Sequence, residues 1–199
     1  MACDTLIDSY SSTNKDSNYT IDSVEEAHGQ AFTMGGTARD LCKAHFNLRF
    51  DFDPGETATI RAALYACTGT PGTNGRPTGA ALAVSNSREL TSADNDSEYR
   101  DREFVFPTPY TLEAGTNYCI VLECTAHGGS GADVKIGKDH SSPTHTGNMC
   151  THFSDAAGWS SSADDLCFGI YYDPCGGGAP APTSVFEGAF RGPIGGPIQ

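Results

Sequence analysis

Residues 42–52 constrain the fold more than any other stretch of the chain. Cys42, Ala44, Phe46, Leu48, Phe50 and Phe52 are apolar, and Lys43, His45, Asn47, Arg49 and Asp51 alternate between them. A strict two-residue rhythm puts one face in a core and the other in water, which is the geometry of a half-buried β-strand. On a helix the same phenylalanines would be scattered around the circumference. No stretch of about twelve residues elsewhere carries clean helical periodicity, so the chain reads as all-β.

The turn Asp53-Pro54-Gly55-Glu56 closes that strand. Residues 59–67 then bury Ile60, Ala62, Leu64 and Ala66, and residues 118–124 place Tyr118, Ile120, Leu122 and Cys124 opposite Cys119 and Val121. Residues 166–172 point Leu166, Phe168, Ile170 and Tyr172 one way. Shorter strands are expected at 6–10, 19–24, 30–34, 80–87, 102–106, 134–138 and 148–153, with a long Gly/Pro/Thr-rich loop over 68–79. About ten strands with turn-rich connections predict an antiparallel β-sandwich or jelly roll. A length of 199 residues suits one such domain, residues 1–173, and a tail, residues 174–199.

The tail differs in character. Cys175-Gly176-Gly177-Gly178-Ala179-Pro180-Ala181-Pro182 is a linker by composition. Beyond it, Val185, Phe186, Phe190, Ile194 and Ile198 are spaced among glycines and prolines and cannot build a core alone. They suit an extended arm laid across a neighbouring surface, and we expect them to be partner-binding residues.

Charge narrows the partners. Twelve Lys+Arg against 25 Asp+Glu give a formal net charge of −13, a field that repels phosphate backbones and anionic membranes. Nucleic acid and membrane are therefore not expected as partners, and no run of about eighteen apolar residues exists to span a bilayer. The N-terminus, Met1-Ala2-Cys3-Asp4, leads into polar sequence without a basic or apolar leader, yet eight cysteines give the body a secretory look. Either a leader has been removed, or the chain is made in a cytosol and works outside it, as virion proteins released by lysis do.

A set of scaffold residues adds a resemblance. Gly29-Gln30-Ala31-Phe32-Thr33 is followed by Ala63-Leu64-Tyr65-Ala66, Gly69-Thr70-Pro71 and Pro77-Thr78-Gly79. Next come residues 110–118, from Tyr110-Thr111-Leu112 to Asn117-Tyr118, and then Ile120-Val121-Leu122-Glu123. Ser141-Ser142-Pro143-Thr144-His145-Thr146-Gly147-Asn148 and Gly158-Trp159 complete the set. On these residues, the stretch 29–172 resembles a β-sandwich module found in phage virion structural proteins and bacterial surface-anchored proteins. The resemblance implies a displayed module, attached to a virion or a cell, and carries no catalytic set. These are strand and turn residues, and a scaffold does not by itself name a function.

Chemical constellations are sparse. The eight cysteines (Cys3, Cys42, Cys67, Cys119, Cys124, Cys150, Cys167, Cys175) include no C-x-x-C pair, so a cysteine zinc site is disfavoured and the disulfide pairing stays open. Cys42 and Cys124 lie on apolar strand faces and read as small core residues. His140, His145, Cys150 and His152 match no zinc spacing, and hydrogen bonding in a loop is their expected role. Asp51, Asp53, Glu56, Asp94, Asp96, Glu98, Asp164 and Asp165 match no calcium-loop pattern and read as solvated turns. No metal or cofactor is expected. G-x-S-x-G and phosphate-cradling loops are absent, and His127-Gly128-Gly129-Ser130-Gly131 reads as a hairpin tip. Asn18-Tyr19-Thr20 and Asn95-Asp96-Ser97 are glycosylation tripeptides that matter only in a secretory host.

These observations predict a non-enzymatic virion structural protein, a capsid decoration or tail-associated subunit. Its expected place is the virion surface, bound through the arm to other subunits or copies of itself as a homo-oligomer. The alternative is a secreted carbohydrate-binding or adhesion module at the cell surface, with Trp159, Tyr99 and Tyr110 as loop aromatics that stack on a host-surface glycan. A third reading is an extracellular filament subunit whose arm completes the next subunit's sheet.

Overall fold

The computed structural model describes residues 3–23, 26–129, 133–153 and 158–173. Within them the chain is an all-β antiparallel sandwich of fourteen strands, more than the ten or so read from the sequence because several are short. In order they are β1 (Thr5–Tyr10), β2 (Ser17–Ile21), β3 (Ala27–Thr33), β4 (Arg39–Asp51), β5 (Thr57–Thr68), β6 (Arg76–Val84) and β7 (Arg88–Thr91). Then come β8 (Arg100–Leu112), β9 (Asn117–Gly128), β10 (Asp133–Asp139), β11 (Asn148–His152), β12 (Ser160–Ser162), β13 (Asp165–Leu166) and β14 (Phe168–Tyr172).

Two seven-stranded sheets face each other. The first runs β1-β14-β4-β10-β13, with β2 on β10 and β8 on β4. The second runs β12-β11-β3-β9-β5-β6, with β7 on β5. The alternating strand over 42–52 is the spine of the first sheet. One edge of β4 pairs with β8, and the other is shared between β14, at Leu41–Phe46, and β10, at Leu48–Asp51. Ala44, Phe46, Leu48, Phe50 and Phe52 of its apolar face lie in the core, together with Phe32, Ile60, Leu64, Phe104, Ile120, Leu122 and Phe168. Full burial of each such side chain contributes about 1.5–3 kcal/mol.

The loop expected over 68–79 is shorter than predicted. Gly69 takes a left-handed φ of 80°, and the chain returns at once, pairing Thr68 with Arg76 and Cys67 with Pro77. Pro77 is tolerated because β6 is an edge strand. The turn is held from outside: the fully buried Asn148 accepts from the N–H groups of Gly72 (3.1 Å) and Gly75 (3.0 Å) and donates to the carbonyl of Gly75 (3.1 Å).

At one end of the sandwich the loop over 140–147 is fixed by a polar network. Gln30 on β3 donates to Asp165 (2.9 Å) and accepts from the N–H of Leu166 (2.9 Å), while Asp165 also accepts from the N–H of His145 (2.8 Å). Nδ1 of His145 accepts from the N–H of Gly147 (2.9 Å), which leaves Nε2 as the protonated nitrogen facing Asp8 (3.2 Å). Tyr10 donates to Asp139 at 2.6 Å, and Lys138 bonds Asp164, whose other oxygen meets His140 at 2.8 Å. Hydrogen bonding in a loop is thus what the structure gives His140 and His145.

Candidate functional site

The concavity with both aromatic and charged walls lies on the outer face of the second sheet, and strand register builds it. Arg61 on β5 faces Glu123 on β9, Glu123 faces Ala27 on β3, and Ala27 faces His152 on β11. One row of outward side chains therefore crosses four strands. Two rows along the same faces, Tyr65 is opposite Cys119, which is opposite Ala31. The outward residues of β3 are small, Ala27, Gly29 and Ala31, so the sheet is low along that strand. Gly29 must stay small: a Cβ there would lie 2.6 Å from the carbonyl oxygen of Ile120 and 3.1 Å from Sγ of Cys150.

Trp159, arriving from the segment before β12, leans over this depression. Its ring centroid lies 6.2 Å from that of Tyr65 and 5.4 Å from that of His152, the latter edge-on. The result is a groove of about 580 Å³ lined by Glu26, Ala27, Arg61, Tyr65, Glu123, Cys124, Thr125, His152 and Trp159. Arg61 Nε donates to Glu123 at 2.8 Å, and the Tyr65 hydroxyl donates to the other oxygen of the same carboxylate. Burial, then the hydrogen bond to Glu123, pushes the Tyr65 hydroxyl well above its ordinary pKa, so it stays a donor. Glu26 accepts from the N–H of Asp22 at 3.0 Å, and burial raises its pKa above the usual carboxylate range.

Beneath the groove, Cys119 and Cys150 join Ala27, Ala31 and Val121 in a second apolar cluster, with Cys67, Tyr65 and Trp159 packed against it. Cys67, Cys119 and Cys150 carry free thiols. Those of Cys67 and Cys119 are driven far above the ordinary value by hydrogen bonding to neighbouring thiols and by burial, so they are poor nucleophiles. Cys124 is a core residue as expected. Cys42, expected to be the same, is instead bonded to Cys3.

The three aromatics read as a glycan set from the sequence do not meet. Trp159 is in the groove. Tyr99 lies under Lys15 (4.1 Å) and Arg49 (5.6 Å), and Tyr110 packs edge-on against Tyr118 at 6.3 Å. The acidic turns are ion-paired rather than merely solvated: Asp51 faces Lys135 (2.9 Å), Asp94 faces Arg88 (3.1 Å), and Asp96 faces Arg102. Asn95 of the second glycosylation tripeptide spends its amide on the backbone of Phe52, accepting at 2.8 Å and donating at 2.9 Å. Val185, Phe186, Phe190, Ile194 and Ile198 lie outside the described residues, as does the tip at Ser130 and Gly131.

Arg61 and Glu26 were not singled out in the sequence, and Tyr65 and Glu123 were read only as scaffold residues. Arg61 and Tyr65 are recoverable as outward residues of a strand read for its inward face, but only the register of β5 on β9 brings them to Glu123. Chemically, the groove offers a flat aromatic surface beside a carboxylate and a guanidinium in fixed positions. Such a wall can stack on an apolar ring face while the polar pair exchanges hydrogen bonds with hydroxyls. Against known proteins, no family model matches the chain and no curated protein is similar to it.

Proposed function

We propose that the chain is a non-enzymatic, displayed binding module whose sheet-face groove takes a saccharide. The observation that carries this reading is the Trp159–Tyr65 wall standing over the Arg61–Glu123 pair. A pyranose has an apolar C–H face for the indole and hydroxyls for a charged pair. Glu26 and Glu123 outnumber the single Arg61 in the lining, and the whole chain carries −13. Both features favour neutral or amino sugars over uronic or sialic acids.

The test is a glycan array probed with the full chain, followed by titration calorimetry of the best binder. Trp159→Ala and Arg61→Ala are each expected to weaken binding at least tenfold, a loss of about 1.4 kcal/mol, in chains whose circular dichroism spectrum shows the fold retained. An array with no binder, or a binder indifferent to both substitutions, would refute the reading.

A second, compatible reading concerns where the module is displayed. Residues 174–199 combine a Gly/Pro linker with five spaced apolar side chains, and the stretch 29–172 resembles modules of phage virions and bacterial surfaces. These features support a virion subunit, a capsid decoration or tail-associated protein, tied to its neighbours through the arm.

A further inference from the structure

The edge of the sandwich where β6 and β8 meet is unlike the rest of the surface. Four large apolar side chains are exposed among the described residues, and Leu82, Val84 and Val105 are all here. Val84 and Val105 are in regular register, opposite Ala63 and Lys43, and a bulge lies close to each. On β8, Val105 faces Lys43 and Tyr110 faces Leu41, so residues 106–109 bow out opposite Cys42 alone. Pro107 and Pro109 in that bow have no N–H to give to a ladder. On β6, Ala83 faces Leu64 and Thr78 faces Ala66, so residues 79–82 bow out opposite Tyr65.

Two concavities follow from these bows. One, of about 250 Å³, is lined by Leu82, Val84 and Tyr110, and the other, of about 330 Å³, by Val105 and Phe106. Both include Pro107 and Pro109, so the β8 bow is the wall common to this two-part apolar track. The second ends at Asp40 and Asp173. Asp173 is also where the arm departs.

We propose that this track receives residues 185–198 from a second copy of the chain, so that copies are joined arm to track. The proposal rests on the arm reading above and names the surface that the arm grips. The arm brings five apolar side chains that glycine and proline prevent from covering one another. Beside Phe190 stands Arg191, the only basic residue after Asp173, and the track's lining includes the carboxylate of Asp40. Residues 174–184 separate Asp173 from Val185, and twelve residue steps extend to about 40 Å at most, enough to carry the arm to a neighbouring copy. A head-to-tail contact of this kind makes closed rings or open chains.

Light scattering on the size-fractionated full chain tests the proposal. The native chain should exceed the mass of one chain and grow with concentration. Val105→Asp or Leu82→Asp in the track, and Phe190→Asp in the arm, should each return it to a single chain with an unchanged circular dichroism spectrum. An equimolar mixture of V105D, whose arm is intact, and F190D, whose track is intact, should form pairs of two chains. A mixture that stays single would overturn exchange between copies. If F190D dissociates the assembly while V105D and L82D leave it whole, the arm reading survives and the track is wrong. A native chain that is single at every concentration would sink both.

Discussion

His28 sits on β3 with its imidazole stacked on Tyr19, ring centroids 4.8 Å apart, and its edge toward Phe153. It is fully buried, and the ammonium of Lys138 lies 4.0 Å from the other face of Tyr19. Burial first, and then that cation, lower the His28 pKa from 6.5 to about 4. The unfolded chain therefore takes up a proton that the folded chain refuses, so stability is complete above pH 6.5 and falls as the pH is lowered toward 4. The loss amounts to about 3 kcal/mol at most. Glu26 and Asp165, whose pKa values burial raises, act in the opposite sense, adding stability as the pH falls through their raised values. The expected outcome is thus a difference between proteins. His28→Phe should keep the stack on Tyr19 and lose less stability than the native chain between pH 7 and pH 4.5, as read by urea unfolding at each pH. Nothing in the local sequence announces this residue: its neighbours Ala27 and Gly29 are small, and its burial depends on Tyr19 and Phe153 from distant strands.

At the scale of elements, the long strands were legible because alternation reports one-sided burial directly. The inward sets read for residues 44–52 and 118–124 are those observed, whereas at the start of β4 a bulge turns Leu41 rather than Cys42 into the core. The error over 68–79 has a physical cause. Glycine, proline and threonine mark both loops and edge strands, and only a partner strand distinguishes them. The tie between β1 and β4 was not legible at all, since eight cysteines permit many pairings. Cys3 and Cys42 are 39 residues apart in sequence, and closing a loop of that size restricts the unfolded chain by about 4 kcal/mol in the entropic account. A reductant should therefore lower the urea midpoint of the native chain. Cys3→Ser should already show the lower midpoint and respond no further, because the other described cysteines carry free thiols.

For the whole molecule, the groove and the edge track are both products of register rather than of motif. Trp159 was read from the sequence as a glycan-stacking aromatic together with Tyr99 and Tyr110. Arg61, Tyr65 and Glu123 share its groove because β5 and β9 align two rows of outward side chains, and no spacing along the chain encodes that alignment. The arm residues Val185, Phe186, Phe190, Ile194 and Ile198 lie outside the described residues, so the arm stays a reading of composition. Topology has a further consequence, for biosynthesis. Among the described residues β1 pairs with β14 alone, and β14 stands between β1 and β4. β1 thus waits, without that neighbour, until Tyr172 has been translated and has cleared the exit tunnel. Stalled nascent chains ending near residue 160 should be digested by protease as readily as an unstructured peptide. Those extended far enough to expose Tyr172 should resist, with the sandwich closing in one late step.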